Sequence, residues 1–300
     1  LSAFLLKGDV WTFWTWWMLA FLMGMVAMPV TGRLFAGFED KGWMFSKMLA
    51  ITVTGFLTWF LVTAKILPFT AATCIGVSVV CAVGCGVLYH FQGKNGIDCF
   101  PSGKVNLIYG EEILFFVFFL MWTYFAGFRP QAYGGTEKFM DYGFMEAMMR
   151  STTLPARDLW YSEGTINYYY GGQYFAVFLT KLTGSKVELT YNLMRTFVAA
   201  FAFVLPFSLV HQMSVDRLKG SLTGKKRCVP AVAGIIAGLS VSIAGNMHYV
   251  VYSKIIPWLQ KLQGKEADSY WFPDATRYIG YNPDVPDKTI HEFPCYSFVL

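Results

Sequence analysis

Long apolar runs, most of them roughly 16 to 25 residues, set the possible fold more tightly than any other feature of this chain, because a bilayer core of about 30 Å is crossed by about 20 helical residues. The runs cover Val10 to Val30, Met44 to Leu67, Thr70 to Tyr89, Val105 to Phe128, Tyr170 to Leu182, Leu193 to Met213 and Val229 to Tyr252. Only 14% of the 300 residues are charged while 55% are hydrophobic; soluble domains carry roughly 25% charge. The expected fold is all-α: a polytopic integral membrane helical bundle of about seven spans. The fifth run, short and opened by glycines, is marginal as a full span.

The connecting segments narrow the function classes. Net charge is +5, spread along loops rather than gathered in a tail, which gives no footprint for nucleic acid. Six cysteines are present, but none forms a CxxC pair, so neither a zinc site nor a disulfide framework is supported. Cys74, Cys81 and Cys85 share one helical face and are expected to pack against a neighbouring helix. The opening residues lack the features of a cleavable signal. The last residues, YSFVL, fall inside an apolar run, as expected for a piece of a longer protein.

Charges near the spans are read by depth. Trp11, Trp14, Trp16 and Trp17 suit a headgroup zone. Lys47 and Lys65 flank the second span and are expected to snorkel to the two interfaces. Glu111 and Glu112 open the fourth span; acids at that depth are functional or interfacial, and the interfacial reading is the simpler. The KKR loop at 225–227 belongs on the cytoplasmic side by the positive-inside rule. Seven full spans then put the 129–172 loop on the same side, whereas a re-entrant Tyr170 to Leu182 puts that loop outside.

The 129–172 segment is the longest polar interruption, RPQAYGGTEKFMDYGFMEAMMRSTTLPARDLWYSEGTINYYYGG. Thr136 can cap a helix that begins at Glu137 and ends at Arg150 before Pro155. Glu137 and Asp141 then share a face one turn apart. Met140, Phe144, Met145 and Met148 supply an apolar surface able to lie on a membrane. Such a carboxylate pair can act as a general base, as a divalent-metal site, or as a hydrated helix face. Arg150, Arg157 and Asp158 follow, then Trp160 and three tyrosines. A base beside phosphate-pairing arginines suits a lipid-phosphate substrate; the tyrosines also fit an interfacial aromatic belt.

The wording EKFMD (Glu137 to Asp141) and LPARDLWYSEGTINYYYGGQYF (Leu154 to Phe175) resembles the YYY membrane protein family, so called for its consecutive tyrosines. EILFF (Glu112 to Phe116), TYNLMRT (Thr190 to Thr196), ATRYIG (Ala275 to Gly280) and TIHEFPCYSF (Thr289 to Phe298) extend the likeness along most of the chain. The family is similar in layout to membrane glycosyltransferases of the GT-C type. That resemblance implies a multi-pass protein of the cell membrane that takes a sugar from a polyprenyl-phosphate donor. Three additional helices, residues 1–109, stand ahead of a GT-C-like core at 110–300. It implies Asp141 or Glu137 as the base and Arg150 or Arg157 as partner of the leaving phosphate. Asp158, Trp160, Asn167, Tyr168, Tyr169, Tyr170 and Arg277 are the further substrate contacts, and His291 and Glu292 either join them or bind a divalent metal. The partners are the lipid-linked donor and membrane lipids. A transporter or flippase gated by the loop, and a non-catalytic assembly protein, are the alternatives.

Overall fold

The computed structural model describes residues 10–94, 99–100, 104–127, 138–221, 224–244 and 254–266. Its helices are α1 Val10–Leu34, α2 Trp43–Thr63, α3 Ala71–Lys94, α4 Val105–Trp122, α5 Lys138–Arg150, α6 Gly171–Thr183, α7 Val187–Arg217, α8 Val229–Leu239 and α9 Ile256–Leu262. A π-turn extends α4 through Thr123–Gly127. Among the described residues no strand forms; Arg157 and Thr165 make an isolated antiparallel bridge.

Among the described residues six helices are long and apolar enough to cross a membrane: Val10–Leu34, Trp43–Thr63, Ala71–Gly93, Val105–Phe125, Val187–Arg217 and Lys226–Ile243. The polytopic helical bundle is as the apolar runs indicated, but the Tyr170 to Leu182 run yields only the 13-residue α6. At 1.5 Å per residue α6 reaches about 20 Å, short of a bilayer core. Gly184 stops it in a left-handed conformation, φ 64°, which glycine adopts without steric cost.

Residues Leu1–Ile235 form one compact unit and Ile236–Leu300 a second. The first is held by aromatic packing. Along the α4–α7 seam Phe115 and Phe119 meet Phe197, and Phe118 stacks on Phe203 at 3.6 Å. Phe13 and Trp16 of α1 close the same cluster. In the second unit, α9 buries none of its residues and leaves Trp258, Leu259 and Leu262 exposed.

Contacts sort the connections of the first unit onto two opposite ends. At one end Lys104 pairs with Glu39 at 2.9 Å, and Gln212 both accepts from the Glu39 N–H and donates to the Gly37 carbonyl. At the other the Phe69 N–H donates to the Thr152 carbonyl, and Trp59 donates to the Tyr170 hydroxyl. Both ends of α6 lie at this second end: Tyr170 immediately precedes it, and Lys181 near its close reaches the Met149 carbonyl.

One sequence expectation about charge is corrected. Lys47 does not snorkel: it is fully buried, its Nζ 2.8 Å from Glu112 Oε2 and over the rings of Trp43, Phe21 and Phe115. Glu111 and Glu112 are buried within the protein. Glu112 also accepts from the Trp43 indole, and Glu111 lies beside Asp40 and Ser208. Asp40 in turn accepts from the backbone N–H groups of Gly42 and Trp43 where α2 begins, and from Ser208. A lysine inserted one turn into an apolar helix meets its counter-ion because α2 and α4 pack side by side.

Candidate membrane-surface site

The sequence around Asp141 is helical for local reasons. KFMDYGFMEAMMR is rich in strong helix formers and holds a single glycine, with Arg150 in the last turn where a cation suits the dipole. The helix ends at Arg150, as expected. Its apolar face, Phe144, Met145, Ala147 and Met148, is buried against the rest of the protein, so these side chains serve tertiary packing rather than the membrane plane.

α5 and α6 lie parallel and in register. Gln173 Nε2 donates to Asp141 Oδ1 at 2.7 Å, and Lys181 Nζ donates to the Met149 carbonyl at 2.9 Å, two links with the same 32-residue offset. The second satisfies a carbonyl at the C-terminal turn of α5, where helices leave such groups unpaired. Lys181 also sits 4.7 Å over the Phe69 ring, and burial holds its ammonium below the ordinary lysine range. α6 is seated on α2 by the Tyr174 hydroxyl, which donates to the Gly55 carbonyl at 2.7 Å. A Cβ at Gly55 would run into the Phe175 ring, so the glycine permits this close approach.

Asp141 is half-buried and lines a cavity of about 430 Å³ with Gln173, Tyr191 and Arg195, floored by Met145 and Ala176. Its second oxygen, Oδ2, has no hydrogen-bond partner among the described residues. Arg195 projects from about two turns inside α7, donates to Asn192 Oδ1, and lies 5.7 Å from the Tyr191 ring. Tyr191 packs edge-on against Tyr142, whose hydroxyl donates to Glu146 Oε1 at 3.1 Å. Burial, and then the Glu146 carboxylate, push the Tyr142 phenol up to about 12. The cavity thus offers a carboxylate oriented by an amide, a fixed cation and the Tyr191 phenol beside apolar Met145 and Ala176. Such a set can accept a proton from a hydroxyl and pair with an anion in the same space.

The remaining sequence candidates are distributed around this cavity. Arg150, Arg157 and Asp158 line a separate cavity of about 390 Å³ together with Ser151, Thr152 and Thr153. Arg150 is 3.5 Å from Glu146. Asp158 Oδ1 accepts from the backbone N–H groups of Trp160 and Tyr161, fixing the turn there. Trp160 packs edge-on against Phe139 and Phe144. Asn167 is exposed. Tyr168 packs on Phe144 and on Tyr169, which is itself exposed, while Tyr170 holds the start of α6 against Trp59 of α2. Glu137, Arg277, His291 and Glu292 lie outside the described residues. Among the described residues no group of three or more His, Cys, Asp or Glu side chains is placed to hold a metal ion.

Gln173 within GGQYF, and Tyr191 and Arg195 within TYNLMRT, join the cavity without any role expected of them from the sequence. An arginine two turns inside a long apolar helix is costly unless it faces a polar cavity, and that signal singles out Arg195.

The family described as uncharacterized membrane protein (DUF2298) matches residues 53–300. The chain belongs to this family. It is the family marked by the triple tyrosine, and the matched DUF2298 region contains every residue of the Asp141 cavity. No curated protein and no solved structure matches the chain.

Proposed function

We propose that this DUF2298 protein is a membrane glycosyltransferase that transfers a sugar from a polyprenyl-phosphate donor to a hydroxyl acceptor at the membrane surface. The observation that carries the reading is that Asp141, held by Gln173, and Arg195 share one cavity at the end of the bundle formed by the 138–186 segment. In the transfer step Asp141 takes the proton of the acceptor hydroxyl as its oxygen bonds to the anomeric carbon. The bond from that carbon to the phosphate oxygen breaks, and the electron pair leaves on the phosphate. Arg195 pairs with the charge released, a task for which a planar guanidinium is suited. Arg150 and Arg157 meet further anionic groups of the substrate from the neighbouring cavity. Residues 110–300 carry this chemistry and residues 1–109 supply scaffold. A divalent metal, if the reaction uses one, would draw on His291 and Glu292.

The short α6 supports placing the site outside the cytoplasm. Connections at the end opposite Asp141 carry, among the described residues, Arg33, Lys41, Lys94, Lys104, Arg217, Lys219, Lys225, Lys226 and Arg227 against Glu39, Asp40 and Asp216. With one crossing, α7, between the 138–186 segment and the KKR loop, the positive-inside rule and an external Asp141 agree. The test is Asp141→Asn assayed in membranes supplied with polyprenyl-phosphate sugars. Transfer must be abolished while the protein still inserts and melts as wild type; full activity in the variant would overturn the assignment.

A further inference from the structure

The end of the bundle opposite Asp141 holds acids that the transfer chemistry does not use. Asp40 in the α1–α2 connection, Glu111 in α4 and Ser208 in α7 are all buried. Glu111 lies beside both Asp40 and Ser208, so the three bring α4, α7 and the start of α2 to one point.

Hydrogen-bond donors are unevenly shared at that point. Asp40 Oδ1 accepts from the Gly42 N–H at 3.0 Å, and its Oδ2 accepts from the Trp43 N–H at 3.0 Å and the Ser208 hydroxyl at 3.2 Å. Three donors favour an ionised carboxyl at Asp40. Glu111 receives none: both its oxygens are buried without a hydrogen-bond partner among the described residues. Ser208 has one proton to give, and Asp40 takes it.

The surrounding charges are engaged elsewhere. Lys47 of α2 is in electrostatic range of Glu111, but its ammonium lies 2.8 Å from Glu112 Oε2. Lys104 pairs with Glu39, Lys41 turns back to the Ala36 carbonyl, and Arg33 of α1 is exposed. His211 of α7, near Glu39 and Asp40, stacks on Phe207. Two carboxylates have no donor between them, and a buried ionised acid without donor or counter-ion is costly.

We propose that Glu111 binds one proton and donates it to Asp40, a carboxyl–carboxylate hydrogen bond that latches the α1–α2 turn onto α4 and α7. The proton gives Glu111 its missing partner and removes a charge from the interior, while Asp40 stays ionised under its donors. Glu112, the next residue, holds the same start of α2 through Lys47 and the Trp43 indole. Two adjacent acids of α4, one neutral and one charged, thus grip α2. Loss of the proton sets two like charges together, and their repulsion frees the turn. The latch is independent of the transfer reaction and of sidedness.

The test uses the purified full chain. The infrared difference spectrum at neutral pH, wild type minus Glu111→Gln, must contain the carbonyl stretch of a neutral carboxylic acid; a difference made only of carboxylate stretches overturns the proposal. The latch is read by hydrogen exchange of the peptide spanning residues 35–46, each rate divided by the intrinsic rate at that pH. Exchange must rise several-fold from about pH 7 to about pH 10 in wild type and stay level in Glu111→Gln, whose amide donates to Asp40 throughout. Equal exchange in the two proteins at alkaline pH overturns the latch. Thermal stabilisation of wild type, but not of Glu111→Gln, by sodium or potassium at constant ionic strength assigns a metal cation to the pair and overturns the proton. Should Glu111→Gln fail to accumulate, wild type decides: the neutral-carboxyl band must persist at about pH 7, where solvated carboxyls are ionised, and its absence rejects the proposal.

Discussion

Gln173 Nε2 donates to Asp141 Oδ1 at 2.7 Å, joining the first turn of α6 to the first turn of α5. The bond leaves Oδ2 without a partner among the described residues and restrains the orientation of the carboxylate. In the proposed transfer reaction Gln173 is a positioning residue, and misplacing a catalytic group by about 1 Å costs about 100-fold. Gln173→Ala is therefore expected to lower kcat by about 10- to 100-fold with KM for the donor little changed. Steady-state kinetics check this; a change confined to KM would assign Gln173 to binding instead.

The Lys47–Glu112 contact gives an expectation about stability that is independent of any enzymatic reading. Lys47 is fully buried and within 2.8 Å of Glu112, so Lys47→Met leaves a buried carboxylate without its counter-ion. Breaking a buried pair from one side costs about 3–5 kcal/mol, whereas replacing both partners is often near neutral. Thermal unfolding in detergent should show Lys47→Met strongly destabilised and Lys47→Met/Glu112→Gln largely restored. Additive losses in the double variant would show that the two side chains act independently.

What was legible in the sequence follows from the reach of each signal. Span length is a local property of the chain, so the helical membrane fold could be read directly, and α6 alone differs because thirteen residues of apolar sequence suit a buried packing helix as well as a crossing. The end of α5 at Arg150 was legible for the same reason. Depth and partnership are not local. Lys47 near the start of α2 reads as a snorkelling residue until α4 is laid beside it with Glu112 about two turns along that helix. The Asp141 cavity depends on the parallel register of α5 and α6 and on α7 crossing both. That geometry brings in Arg195, fifty-four positions along the chain, and sets Arg157, nearer in sequence, in a different cavity.

Tyr142 gives a pH dependence with a definite sign. Burial and the neighbouring Glu146 raise its phenol from the ordinary value near 10 to about 12. The folded state then holds this proton more tightly than the unfolded chain. Its contribution to stability is complete below pH 10 and is lost as pH rises through the folded value near 12. Alkaline unfolding of Tyr142→Phe should lack that component, and the tyrosinate absorbance of wild type minus variant should titrate near 12. A difference titration near 10 would show that the Tyr142 environment is solvated.

Sidedness is open to a direct measurement. Ser162 and Ser221 are exposed and lie on opposite sides of the single crossing α7. In a background with Cys228→Ser, an impermeant maleimide applied to intact cells is expected to label Ser162→Cys and spare Ser221→Cys. Permeabilisation should make both reactive. Equal protection of the two before permeabilisation would reject the topology in which α6 turns back.

Arg195 and Arg157 separate the cavity beside Asp141 from its neighbour. Arg195 shares the Asp141 cavity, whereas Arg157 lines the other with Arg150 and Asp158. A charge-assisted hydrogen bond to an anionic group contributes about 1.5–3 kcal/mol, so loss of the guanidinium that meets the leaving phosphate should lower kcat/KM by about 10- to 100-fold. Arg195→Ala is expected to show that loss, and Arg195→Lys to recover part of it, since an ammonium keeps the charge without the two-pronged geometry. Arg157→Ala is expected to act on KM for the donor and leave kcat near wild type, because its cavity does not contain the carboxylate that takes the proton. If Arg157→Ala lowers kcat more than Arg195→Ala does, the reacting phosphate lies in the Arg157 cavity, which Asp141 does not line, and the assignment of Asp141 as the base fails.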